Sequence, residues 1–119
     1  MRKVKEKNYL DFIPVYNPDV RFEIDSKKQV TIFQKNKGLF NKIAQKFFKK
    51  PEISQIHLDE FGNFIWPLID GKKSILDISV LVKEEFKEKS EPLYERLVKY
   101  FSLLNSYNFI SLVEQDSHS

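Results

Sequence analysis

Residues Ile56 to Gly71 read I-H-L-D-E-F-G-N-F-I-W-P-L-I-D-G, and within this one segment the pattern changes from strand to helix. Ile56 and Leu58 alternate with polar neighbours, as on a half-buried strand. Asp59 then stands as the N-cap of a helix whose apolar residues Phe61, Phe64, Ile65, Leu68 and Ile69 recur at spacings of three and four, on one face. Asp70-Gly71 closes that helix with a turn-forming pair, and Ser74 with Asp77 three residues on opens the next as a capping box. The segment therefore hands the chain from a sheet to a helical half.

Upstream, Val20, Phe22 and Ile24 alternate with Arg21 and Glu23, Asp25 to Lys28 makes a turn, and Gln29 to Gln34 alternates again. This predicts a hairpin, with Glu52 to Leu58 as a third strand. Between them, Leu39, Phe40, Ile43, Ala44, Phe47 and Phe48 recur in pairs every four residues with lysines opposite, which predicts a basic amphipathic helix over 39–48 that Pro51 stops. That stripe suits docking on its own domain, on a partner or on an anionic membrane surface. Residues 1–18 read as an extended lead-in, because Pro14 and Pro18 forbid a regular helix. Its apolar residues Leu10, Phe12, Ile13, Val15 and Tyr16 need a surface to lie on.

Downstream, Ile75, Ile78, Leu81, Val82 and Phe86 define an amphipathic helix from Ser74 to Lys87, and Ser90-Glu91-Pro92 starts a last one that runs to Ser106. The last helix turns Leu93, Leu97, Tyr100, Phe101 and Leu104 toward a core, while Tyr94, Val98 and Leu103 carry apolar surface round its sides. Phe109 to Val113 forms a short apolar tail or strand, and 114–119 is a polar, fraying tail. The expected fold is α+β: an N-terminal three-stranded antiparallel sheet followed by a three-helix, winged-helix-like bundle, with an extra helix between strands two and three, as a single domain over 1–119.

Composition removes whole classes of function. The chain has no Cys, so disulfides, thiolate metal sites and cysteine nucleophiles are excluded together. Its two histidines, His57 and His118, show no metal-ligand spacing, and three glycines build no phosphate-cradling loop. No enzyme activity, cofactor or metal is expected. No apolar run approaches the roughly 20 residues of a membrane span, and the charged amino terminus lacks a signal-peptide core, so the protein reads as cytoplasmic. Lysines 35, 37, 42, 46, 49 and 50 fill a span without an acid, whereas Glu84, Glu85, Glu88, Glu91 and Glu95 gather downstream.

The order L-D-x-x-G-x-x-I-W-x-L-I-D-G-x-x-S-I-x-D-I from Leu58, with a final helix ending L-x-x-x-x-F-I at Ile110, resembles the PqqD-like family of small peptide-binding domains, also called RiPP recognition elements. The resemblance runs from about Arg21 to Val113 and is broken by the basic insert. It implies a chaperone-like adaptor in natural product biosynthesis that holds the leader peptide of a precursor for a modifying enzyme, such as a radical enzyme. In that family the leader adds as a strand to the third strand, with the last helix as the other wall. Carried onto this chain, the implied peptide-binding residues are Ile53, Ser54, Gln55, Ile56 and His57 on the strand and Tyr94, Val98 and Phe101 on the helix. Two other classes compete. A winged-helix nucleic-acid binder needs a basic last helix, and here Arg96 and Lys99 are offset by Glu91 and Glu95. A membrane-surface or partner-docking adaptor would work through helix 39–48.

Overall fold

The computed structural model describes residues 9–35 and 53–115, and the basic segment 39–48 lies outside them. The fold is α+β, in two compact units: Asp19–Asn63, and Met1–Pro18 together with Phe64–Ser119. Among the described residues no helix is long and apolar enough to cross a membrane.

In the first unit, β2 (Arg21–Ile24), β3 (Val30–Lys35) and β4 (Ile53–His57) form an antiparallel sheet in the order β2-β3-β4. The hairpin turn is built by Asp25. Its Oδ1 accepts the Lys27 and Gln29 amides at 2.8 and 2.9 Å, its carbonyl accepts the Lys28 amide, and Lys28 takes the left-handed conformation at φ 68°. A type I turn followed by a left-handed residue is the usual three-residue hairpin loop, and it sets the register Ile24 to Val30 and Phe22 to Ile32. Val30 and Ile32 are wholly buried.

After β4, Asp59 caps α1 (Glu60–Ile65) as its sequence predicts, its Oδ1 accepting the Gly62 amide at 2.8 Å. The predicted continuous helix to Ile69 is not what forms. Pro67 has no N–H to continue an α ladder, and the chain tightens into a 3-10 turn over Trp66–Leu68, closed by the Ile69 amide on the Trp66 carbonyl. Gly71 then takes φ +78°, a left-handed conformation that glycine adopts without penalty.

The second unit holds α2 (Ile75–Phe86), a 3-10 turn over Lys87–Ser90, and α3 (Leu93–Ser106), packed through Ile75, Ile78, Val82, Leu93, Leu97, Phe101 and Leu104. The expectation of one sheet is corrected here. The lead-in is a strand, β1 (Ile13–Tyr16), paired antiparallel with β5 (Ile110–Val113) in a second, two-stranded sheet. The ends of the chain need an apolar surface, and each supplies the other's backbone partners. The Leu10 and Phe12 carbonyls also accept the Leu76 and Ile75 amides, both at 2.9 Å, while Ser74 and Asp77 complete the predicted capping box. The four amides at the start of α2 that have no intrahelical acceptor, those of Ser74, Ile75, Leu76 and Asp77, are thus all bonded, and Ile78 makes the first intrahelical bond, to the Ser74 carbonyl. The tail expected to fray from Glu114 is tied at Gln115, whose Nε2 donates to the Asp11 carbonyl.

Candidate functional site

The strand singled out by its sequence, β4, is an edge strand among the described residues: β3 lies on one side of it and no described strand on the other. Which of its backbone groups face outward follows from the ladder. The Leu58 amide bonds the Val30 carbonyl at 3.2 Å, so Val30 and Leu58 are a hydrogen-bonded pair. Bonded and non-bonded pairs alternate along an antiparallel ladder, which sends the N–H and C=O groups of Ile56 and Ser54 to Ile32 and Gln34. The groups of Ile53, Gln55 and His57 therefore point away from the sheet. The hairpin gives the same parity, since the Asp25 amide bonds the Gln29 carbonyl and so turns the groups of Thr31 and Phe33 toward β2.

The side chains of β4 divide by face. Ile56 is half-buried opposite Ile32, while Gln55 and His57 are exposed on the other face, beside Phe33 and Thr31. His57 Nδ1 lies 3.0 Å from Thr31 Oγ1, which anchors the ring to the sheet. No Lys, Arg, Asp, Glu or Pro occupies 53–57, so this edge lacks the charges and prolines with which strand edges are commonly guarded.

A contact that the sequence pattern does not reveal holds this edge in register. Asn63 Oδ1 accepts the Val30 amide at 2.9 Å, and Gln29 Nε2 donates to the Leu58 carbonyl at 2.8 Å. The end of the β3-β4 ladder is thus locked by two side-chain amides. The only signal for them in the sequence is a polar residue at a helix position between apolar ones.

On the helical unit, the predicted wall residues separate. Tyr94 is 46% exposed and Val98 half-buried, one turn apart on the same flank of α3. Phe101 is wholly buried, its position on the helix falling between the buried Leu97 and Leu104. The opposite flank carries Leu103, 54% exposed, and Tyr107. At the start of α3, the Glu91 carboxylate accepts the Leu93 amide and meets Lys83 Nζ at 3.2 Å, and these partners hold its pKa below the usual carboxylate range. Asp70 is held lower by Lys73 and by the Lys72 and Lys73 amides, as the acceptor of a tight turn. Among the described residues no group of three or more His, Asp or Glu side chains is placed to hold a metal ion.

The sequence pattern of PqqD, described as coenzyme PQQ synthesis protein D, matches residues 50–110, just over half of the 119. The chain belongs to the PqqD family. The matched region covers β4, the helices and the Asp70-Gly71 turn, and leaves the β2-β3 hairpin, β1 and most of β5 outside it, a narrower span than the motif order implies. No curated protein and no solved structure matches the chain.

Proposed function

We propose that this PqqD-family chain is a non-catalytic adaptor that holds the leader segment of a ribosomal precursor peptide and presents it to a peptide-modifying enzyme. The peptide adds as a strand to the outer edge of β4. The observation that carries this reading is that edge, with the backbone groups of Ile53, Gln55 and His57 turned outward and no charge or proline among its residues. Main-chain bonds to such an edge supply affinity, and alternate side chains supply selectivity. Tyr94 and Val98, on the open flank of α3, are proposed as further peptide-contacting residues. In this reading 1–119 works as one peptide-binding domain. Phe101 supports the helix from within and does not touch the ligand.

The test is a titration of the leader from a precursor peptide encoded beside this protein. Gln55→Pro removes an outward N–H and should weaken binding about tenfold or more while the fold persists, whereas Ser54→Pro removes a ladder bond and should damage the sheet. Val98→Asp should also cost affinity, and Lys99→Ala should not. Random duplex DNA at two salt concentrations serves as the comparison, because charge-driven nucleic-acid binding falls steeply with salt. Tight, salt-sensitive DNA binding with no response to any leader would replace the peptide reading with the winged-helix one.

A further inference from the structure

The side chains of the three-stranded sheet form rows across its strands, and each row stops at the open edge. On one face the register aligns Glu23, Thr31 and His57 in one row and Arg21, Phe33 and Gln55 in the next. On the other face it aligns Phe22, Ile32 and Ile56, beside Ile24, Val30 and Leu58. The first face ends in two exposed polar residues, and the second in two half-buried apolar ones. The hydrogen bond to Thr31 turns Nδ1 of His57 toward β3. Nε2, across the imidazole from it, is the nitrogen left for a neighbour on the edge side.

A strand added antiparallel to this edge continues both sets of rows. Residues that bond Gln55 or His57 lie directly opposite them with side chains on the polar face, and the residues between them lie beside Ile56 and Leu58. We propose that Gln55 and His57 are specificity-determining residues, which select an extended segment with apolar side chains opposite Ile56 and Leu58 and a hydrogen-bond acceptor opposite His57. The inference rests on strand addition to β4. In this proposal the Thr31 hydroxyl, 3.0 Å away, is the donor to Nδ1, so that Nε2 carries the proton and donates, and a carboxylate or amide oxygen in the facing residue completes the row. An apolar side chain in that place would cover the imidazole N–H without bonding it. A polar side chain on the other face would be set against Ile56 and Leu58.

Selection of short random peptides on the full chain tests this. The pool bound by the wild type should alternate polar with apolar residues and carry an acceptor at one polar position, enriched about tenfold over an apolar residue there, the effect of one hydrogen bond. His57→Leu should keep the alternation and lose the acceptor preference at that position alone, and His57→Gln, which still offers an N–H, should restore part of it. Circular dichroism of each variant checks that the fold is kept. A wild-type pool without a positional acceptor, one that favours donors there, or one that His57→Leu leaves unchanged would overturn the assignment of His57 while leaving strand addition in place. A pool that Gln55→Pro binds as well as the wild type, or no recovered peptide at all, would overturn strand addition itself.

Discussion

Asn63 sits in α1 among apolar residues, yet its Oδ1 accepts the Val30 amide at the point where the β3-β4 ladder runs out. Truncation to Ala leaves that amide, and the Gln29 side chain that also reaches Oδ1, without this acceptor. Asn63→Ala should therefore cost about 1–3 kcal/mol, read as a lower urea midpoint at unchanged slope. Tyr16 gives a pH-dependent counterpart. Its hydroxyl donates to the Trp66 carbonyl and its ring lies 4.9 Å from the Trp66 ring. Burial first, and then the negative charge of Asp70, push its pKa from the ordinary 10.0 up to about 12. The folded state thus holds this proton more tightly than the unfolded chain, so the contribution is complete below pH 10 and lost as pH rises through about 12. Denaturation midpoints across that window should fall more steeply for the wild type than for Tyr16→Phe. Parallel slopes would mean that the Tyr16 proton does not stabilise the fold.

Among the elements, β1 depends most on where its hydrogen bonds point. The Asn17 amide bonds the Phe109 carbonyl at 3.0 Å, so by alternation Val15 and Ile13 bond Ser111 and Val113, and Pro14 faces away from β5, where its missing N–H removes no ladder bond. Val15→Pro places the same ring at a bonded position and should cost about 2–3 kcal/mol in chemical denaturation, from a lost ladder bond and steric conflict with the partner strand. A second proline tolerated at position 15 would refute this register. The chain reaches β5 through a reversal at Asn108, which takes φ 67°. The Phe109 amide returns to the Leu104 carbonyl and the Asn108 amide to that of Asn105, so α3 ends in a Schellman motif with Asn in the left-handed position.

At the scale of the molecule, the segment matched to the PqqD family ends where the hydrogen bonding does not. Residues 50–110 contain β4 without β3, one residue of β5 without β1, and α2 without the Leu10 and Phe12 carbonyls that accept its first amides. A polypeptide limited to 50–110 should show no cooperative thermal transition, whereas 9–115 should melt in one; calorimetry of the two decides the matter. A cooperative melt of 50–110 close to that of the full chain would make the flanking strands dispensable.

By itself the sequence determined the elements whose signals are local. The 25–28 turn, the Asp59 cap, the Ser74-Asp77 capping box and the buried face of α3 all rest on residues within one or two turns of each other, where periodicity and capping chemistry act directly. The same alternation picked out β4 and put Gln55 and His57 on the face opposite Ile56. Tertiary structure alone decided the rest. The β1-β5 pairing joins Tyr16 to Ile110, and the Asn63-Val30 bond crosses the unit that holds the sheet, so neither leaves a periodic trace. Periodicity puts Phe101 on the core face while the family resemblance puts it on a wall of the groove, and the packing of α3 within its unit buries it completely. The outward direction of the Gln55 and His57 backbone groups follows from the β3-β4 register, which the Asp25 turn, Gln29 and Asn63 fix together. A one-residue slip would turn those groups inward, a choice that the alternation of a single strand does not contain.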